Sequence, residues 1–158
     1  MARIVIQNAL FAIGPFGRAK VSALTVPWCT YTDPEVAHVG LNSEQAEANG
    51  QDVRTIEIAM SEVDRARLEG PTEGFLRVHV NAKGRILGAT LVARHAGDMI
   101  SAIVAAMAAG RSLSALAKVI HPYPTHAEII KKAADAFNRQ KLTPRVKSIF
   151  KTLLAWRR

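Results

Sequence analysis

The segment from His121 to Glu128 collects the side chains of this sequence that could do chemistry. It reads His-Pro-Tyr-Pro-Thr-His-Ala-Glu, and its two prolines restrict the backbone on both sides of Tyr123. Because proline fixes φ, the phenol of Tyr123 can be held in one orientation at little entropic cost. Thr125, followed three residues later by Glu128, predicts a capping box at the start of a helix. We therefore predict a stiff loop that leads into a capped helix.

Tyr123 and Glu128 are the candidate chemical groups of this loop, and they have two interpretations. A phenol with an ordinary pKa of about 10 is a poor general base at neutral pH, where histidine at about 6.5 is well matched. In the first interpretation the phenol and the carboxylate satisfy each other or cap the helix, which we favour for this chain alone. In the second they act as part of a larger enzyme.

A metal site is not predicted, although the chain has five histidines. Only His121, His126 and Glu128 are close in sequence, and their spacing matches no zinc motif. Cys29 is the only cysteine, so it cannot form an intramolecular disulfide, and we predict that it is a small buried apolar side chain.

Three sequence blocks, taken together, resemble a known family. They are Val26–Leu41 (VPWCTYTDPEVAHVGL), Gly88–Ile100 (GATLVARHAGDMI) and the Pro-Thr-x-x-Glu order that ends at Glu128. In this order and spacing they resemble the C-terminal dimerisation domain of the FAD-dependent pyridine nucleotide-disulfide oxidoreductases, a family that includes dihydrolipoamide dehydrogenase and mercuric reductase. The resemblance extends over residues 20–140.

The resemblance implies roles that belong to an intact enzyme. Tyr123 stands where the disulfide reductases carry the catalytic histidine, and Glu128 stands where they carry its carboxylate partner. Tyrosine at this position is similar to the mercuric reductase branch. Pro124 and Thr125 would lie against the flavin of the partner subunit, and the Tyr123–Pro124 bond is expected to be cis. The chain ends without that branch's C-terminal cysteine pair, so mercury chemistry is not predicted.

The nucleotide-binding parts of such an enzyme are missing from this sequence. It has no Gly-x-Gly-x-x-Gly turn to receive a pyrophosphate, so we predict no cofactor in this chain, with FAD and NAD(P)H implied only for the full-length enzyme. The resulting hypothesis is a fragment, the homodimerisation domain of a mercuric-reductase-like flavoprotein. It would not be catalytic alone, and would associate with a second copy and with the FAD/NAD-binding domains of the parent enzyme.

Residue patterns predict an α+β fold, an antiparallel β-sheet with helices packed on one face. The predicted strands cover residues 28–32, 36–41, 53–58, 75–80 and 86–92. The predicted helices cover 2–12 (ended by Gly14-Pro15), a short one capped by Ser43, then 97–109, 113–119, 128–140 and 145–156. We expect residues 1–20 to be the last helix of a preceding FAD-binding domain, 21–142 the dimerisation domain, and 143–158 a basic amphipathic helix.

The formal net charge of +8 arises largely near the C-terminus. Nine basic residues crowd the last thirty: Lys131, Lys132, Arg139, Lys141, Arg145, Lys147, Lys151, Arg157 and Arg158. The last helix also carries an apolar stripe, so it could pack on its own domain or on a dimer partner, anchor weakly to an anionic membrane, or bind nucleic acid. No recognition helix or aromatic stacking platform is apparent, so nucleic-acid binding is not predicted.

Two other functions remain open at this point. The chain could be a peripheral membrane module that acts through its basic tail, or a subunit of a split FAD/NAD(P)H reductase. With 49% hydrophobic and 22% charged residues, 158 residues suffice for one hydrophobic core. The sequence has no apolar run of about 20 residues and no signal peptide, and its single cysteine favours a cytoplasmic location.

Overall fold

The structure is a computed structural model that describes residues 2–14 and 16–157. Three residues lie outside the described ones: Met1 and Arg158, at the ends of the predicted terminal segments, and Pro15, in the predicted helix break. Five strands form the sheet: β1 (Pro27–Thr30), β2 (Glu35–Gly40), β3 (Arg54–Ala59), β4 (Phe75–Val80) and β5 (Ile86–Ala93). The α-helices are α1 (Ala2–Ile6), α2 (Ser43–Ala48), α3 (Asp64–Glu69), α4 (Ala96–Ala108), α5 (Leu113–Leu116), α6 (Glu128–Gln140) and α7 (Pro144–Trp156).

The sheet is antiparallel throughout, with the strand order β1-β2-β5-β4-β3. Successive side chains of a strand point to opposite faces, so alternate residues of neighbouring strands share one face. Leu91 of β5 pairs with Ala37 of β2 and with Leu76 of β4, and all three are buried. This face forms the floor of the hydrophobic core.

Helices α4 and α6 cover that face side by side. Helix α4 packs on β1, β2 and β5, and α6 packs on β3 and β4. Together they contribute ten apolar side chains to the same core: Ala96, Met99, Ile100, Ile103, Ala106, Ile129, Ile130, Ala133, Ala134 and Phe137. The predicted α+β fold, with helices on one face of an antiparallel sheet, is confirmed.

The opposite face of the sheet carries polar side chains, interspersed with partly exposed apolar ones such as Val36 and Phe75. His38 Nδ1 and Thr90 Oγ1 are 2.9 Å apart, and Arg77 Nε donates to Glu57 Oε2 at 2.6 Å. The ring of His79 is buried on this face, and burial lowers its pKa. No helix that covers the core reaches these side chains, which alternate along the strands with the core residues.

Several predicted element limits were wrong for local reasons. Asn42, not Ser43, caps α2, because its Oδ1 accepts from Gln45 N at 2.8 Å while the Gln45 side chain accepts from Asn42 N. Helix α5 ends at Leu116 instead of residue 119. The N-terminal helix becomes a π-helical turn over Gln7–Phe11. The largest omission was α3, which the sequence patterns did not predict.

The two terminal segments leave apolar side chains in solvent. The first segment, through residue 16, exposes Val5, Ile6, Leu10, Phe11, Ile13 and Phe16. Helix α7 exposes Ile149, Phe150, Leu153, Leu154 and Trp156, so it does not pack on its own domain, and the other interpretations of this helix stay open. Among residues 2–14 and 16–157, no helix combines the length and the hydropathy needed to cross a bilayer.

Candidate functional site

The proline loop, residues 121–127, joins α5 to α6 at one edge of the helical layer. Its Tyr123–Pro124 bond is cis, as the family resemblance predicts, and so is the Asp33–Pro34 bond. The backbone of Glu128 begins α6, and Glu128 N donates to Thr125 O at 3.3 Å. The loop therefore ends directly on a helix whose next residues, Ile129 and Ile130, are fully buried.

The predicted capping box at Thr125 and Glu128 was wrong. Thr125 Oγ1 donates to Pro122 O at 2.8 Å, within the loop, and does not reach the helix. The residue that precedes α6 is Ala127, which has helical backbone angles and no capping side chain. The hydroxyl of Thr125 thus holds the turn around the cis proline closed instead of capping the helix.

Tyr123 is presented outward, with 70% of the residue exposed. Its hydroxyl donates to Asp64 Oδ2 at 2.9 Å, so the phenol and Glu128 do not satisfy each other as we had favoured. This hydrogen bond, with the negative charge of Asp64, raises the pKa of the Tyr123 phenol above its ordinary value of about 10. At neutral pH the group is therefore a hydrogen-bond donor and not a general base.

A titration of the phenols should detect this bond. The chain has only two tyrosines, Tyr31 and Tyr123, so the near-ultraviolet absorbance of phenolate reports on these two groups alone. We expect Asp64→Ala to lower the pKa of Tyr123 towards about 10, because it removes the acceptor and its charge. The stabilisation from this bond should be complete below the pKa of the unfolded phenol and lost as pH rises through the folded value.

The variant Tyr123→Phe supplies the control for that titration. It leaves Tyr31 as the single tyrosine, so the part of the titration that disappears in this variant belongs to Tyr123. If Asp64→Ala leaves both transitions where they are in the parent chain, the hydrogen bond does not control the ionisation of Tyr123.

Glu128 is the second candidate group, and one of its oxygens has no partner. Glu128 Oε1 lies 3.3 Å from Lys132 Nζ, one turn along α6. Glu128 Oε2 is buried and receives no hydrogen bond from the described residues. A buried carboxylate oxygen without a donor carries a desolvation cost that an added donor would relieve. This oxygen can accept a hydrogen bond from a group supplied at the loop.

His126 faces the interior of the site instead of solvent. Only 10% of its side chain is exposed, and Nε2 lies 3.1 Å from Glu69 Oε2, close enough for an ion pair when the ring is protonated. Neither ring nitrogen has an aligned hydrogen bond. The pKa of Glu69 is lowered, first by its hydrogen bond from Arg65 and then by the charges of Arg65 and His126. His126 also lines a cleft of about 360 Å³, together with Asp33, Pro34, Met60, Pro71, Glu73 and Arg94.

Helix α3 supplies both partners of the loop, and it was the element that sequence reasoning missed. Asp64 holds Tyr123, and Glu69 faces His126. Two signals were available: Asp64 in the first turn, where an acid suits the helix dipole, and Gly70 after the last turn with φ +98°. The helix has only six residues, too few for a convincing apolar period.

The structure does not place the other candidate residues, Cys29 and the possible metal ligands, in a site. Cys29 is half-buried and packs against the core, and burial, with the nearby Glu35 and Asp98, raises the pKa of its thiol. A raised pKa leaves the thiol protonated and poorly nucleophilic. Within residues 2–14 and 16–157, no three His, Cys, Asp or Glu side chains converge as metal ligands would.

Comparison with known proteins identifies the family of this domain and agrees with its fold. The family model described as the pyridine nucleotide-disulphide oxidoreductase dimerisation domain matches residues 26–134. A mercuric reductase of Staphylococcus aureus is 36% identical over 137 residues, which are 86% of this chain and 24% of that protein. A dihydrolipoyl dehydrogenase of Cupriavidus necator is 34% identical over 118 residues, 74% of this chain and 25% of that protein.

A solved structure shares the same architecture. The HOCl-induced flavoprotein disulfide reductase RclA from Escherichia coli superposes with a TM-score of 0.75 at 28% identity. The match covers 84% of this chain and 30% of RclA. The chain thus spans about a quarter to a third of the length of the relatives that it matches.

The five-stranded sheet, its helical layer and the family-model match define the class, an oxidoreductase dimerisation domain. The chain belongs to the pyridine nucleotide-disulphide oxidoreductase family. Mercuric reductases and dihydrolipoyl dehydrogenases are among its relatives, so the expected family is confirmed.

Proposed function

We propose that this chain is the homodimerisation domain of a mercuric-reductase-like flavoprotein disulfide oxidoreductase and that it is not catalytic alone. The observation that carries the proposal is the proline loop, whose tyrosine is held outward by a hydrogen bond to α3. Because the domain leaves 70% of Tyr123 uncovered, the ring is available to a partner subunit. The chain has one cysteine, Cys29, whose free thiol suits the reducing cytoplasm, where we expect the parent enzyme to act.

The surface around the loop suits contact with a second polypeptide. Ile120, immediately before the loop, is 93% exposed, and Val119 and Tyr123 are exposed beside it. The outer side of α4 adds a surface of small side chains, formed by Ser101, Ala102, Ala105 and Ala108. Small residues let another backbone approach closely, and exposed apolar residues contribute free energy when a partner covers them.

In the intact enzyme, the loop would complete the flavin site of the partner subunit. Pro124 and Thr125 would present the loop backbone to the flavin, and Tyr123 would act as a hydrogen-bond donor there. Glu128 would orient the residue at position 123 through the oxygen that now lacks a donor. FAD would supply the redox chemistry, while this chain would contribute shape and a protonated phenol.

Light scattering on the full chain tests the dimer. We expect a mass of twice the 17.1 kDa chain, and we expect Ile120→Asp to give the monomer, because an aspartate at the centre of an apolar contact would lose its hydration. The matched control is Ile149→Asp in α7, also an exposed isoleucine, which should leave the mass unchanged.

A visible absorption spectrum of the same samples tests the claim that the chain lacks its own flavin site. Colourless protein is expected. Flavin absorption bands that persist through purification would contradict the proposal, as would a parent chain that is monomeric at all concentrations tested.

A further inference from the structure

Helix α7 lies outside the segment that the family model matches. The family model ends at residue 134, whereas α7 covers Pro144–Trp156. The helix has its own start signal, because Thr143 Oγ1 accepts from Val146 N at 3.4 Å and Pro144 occupies the first turn. No described side chain of α7 is buried, and Val146 alone is half-buried. The family-model match and the core of the domain therefore do not account for this helix.

The side chains of α7 separate into two faces. With 3.6 residues per turn, the six apolar residues fall within an arc of about 160°. They are Val146, Ile149, Phe150, Leu153, Leu154 and Trp156. Lys147 and Lys151 lie at one border of this arc, where their aliphatic stems can follow the apolar surface while their ammonium groups stay in water. Ser148 and Thr152 lie on the polar side.

The charge of this region has one sign. Residues 136–158 contain seven Lys and Arg and no Asp or Glu. In α6, by contrast, Lys131 is paired with Asp135 and Lys132 with Glu128. Most of the formal net charge of +8 thus arises from the segment that also exposes an apolar face, and an anionic surface complements both features.

The geometry limits what can cover that face. Thirteen residues rise about 20 Å, which is too short for a hydrocarbon core of about 30 Å, so α7 cannot span a bilayer but can lie in its interface. A second copy of α7 would bring lysines of like charge together. Nucleic acid would neutralise the lysines but leave the six apolar side chains in water. An anionic bilayer surface accommodates both faces.

We propose that α7 binds the surface of an anionic lipid bilayer. Its apolar face enters the boundary between headgroups and acyl chains, and Lys147 and Lys151 contact lipid phosphates. Trp156, at the C-terminal end, lies at headgroup depth, where an amphipathic indole is favoured. The helix would bring the dimerisation domain, and the enzyme that contains it, to the membrane surface.

Vesicle co-sedimentation of the full chain tests this binding. The chain is expected to sediment with vesicles of phosphatidylcholine and phosphatidylglycerol, and at least tenfold less with phosphatidylcholine alone. Leu153→Asp should weaken binding to the anionic vesicles at least tenfold. The matched control Leu68→Asp changes an exposed leucine of α3 and should bind as the parent chain does. Because Leu153 and Leu68 are both exposed, both variants should keep the circular dichroism spectrum of the parent chain.

Charge and depth are tested separately. The double variant Lys147→Glu, Lys151→Glu should lose anionic binding, whereas Lys83→Glu, Lys118→Glu, which makes the same charge change at exposed sites elsewhere, should retain most of it. In a Trp28→Phe chain, Trp156 is the only tryptophan, and its emission should shift to the blue when anionic vesicles are added.

Two results would overturn the proposal. One is equal binding to neutral and anionic vesicles with no effect of Leu153→Asp. The other is a Leu153→Asp chain that changes from dimer to monomer in the absence of lipid, because the apolar face would then serve self-association. The proposed dimer contact at Ile120 is tested independently, so either idea can fail without the other.

Discussion

The variant Phe137→Ala is expected to lose about 3–5 kcal/mol of unfolding free energy, the range for removing a large aromatic side chain from a core. Phe137 is 1% exposed and is the largest fully buried side chain of the domain. Its ring occupies the space above Gly84, where an added Cβ would lie 2.6 Å from Cε1, and Lys141 Nζ lies 4.4 Å from the ring centroid. Alanine would leave a cavity between α6 and the β4–β5 turn.

Urea unfolding followed by circular dichroism measures this loss. The control is Phe150→Ala in α7, the same substitution in a helix of equal length, where the residue is 51% exposed and the loss should stay below about 0.5 kcal/mol. If Phe137→Ala does not fold, Phe137→Leu should still show a loss on the order of 1 kcal/mol. Equal stability of the Phe137 and Phe150 variants would mean that α6 is not anchored by this ring.

The variant Gly88→Ala is expected to cost about 3 kcal/mol, at the upper end for overpacking. A Cβ at Gly88 would lie 2.1 Å from Leu41 O and 2.6 Å from Leu41 N, and these are backbone atoms. They cannot move away freely, because Leu41 N donates to Leu87 O at 3.0 Å. The two strands β2 and β5 would have to separate where Gly40 faces Gly88.

Gly110→Ala separates this steric cost from backbone strain. Gly110 has φ +63°, which disfavours alanine, but a Cβ there would meet no atom within 4 Å. We expect a loss of about 1 kcal/mol from conformation alone. Thermal unfolding of both variants makes the comparison, and a Gly110→Ala loss as large as that of Gly88→Ala would show that space between β2 and β5 does not decide the result.

Local patterns predicted the regular elements well. The limits of β4 and α6 agree with the predicted ranges, because alternation over Phe75–Val80 and a helical period over Glu128–Gln140 are each carried by consecutive residues. The start of α7 at Thr143-Pro144 was also predicted, since its cap is a local hydrogen bond. Asn42 was missed as a cap because Ser43, beside it, is an equally good capping residue by type.

The interactions of the loop could not be predicted in the same way. Tyr123 and Asp64 are 59 residues apart in the chain, so nothing in the local sequence of either pairs them. Thr125 had two acceptable uses, as a helix cap or as a donor within the loop, and the fold selected the second. His126 faces Glu69 only because α3 packs beside the loop. Helix α3 is too short for its apolar residues to show a helical period, so the sequence did not predict it.

By itself, the sequence determined the family, the five strands, the longer helices, the proline loop and the amphipathic tail, because each depends on residues that are neighbours in the chain. Only the tertiary structure decided that Tyr123 bonds to Asp64, that one oxygen of Glu128 is left without a donor, and that the apolar face of α7 stays uncovered. These outcomes depend on which elements meet in space, and hydrophobic burial, which brings them together, is not directional.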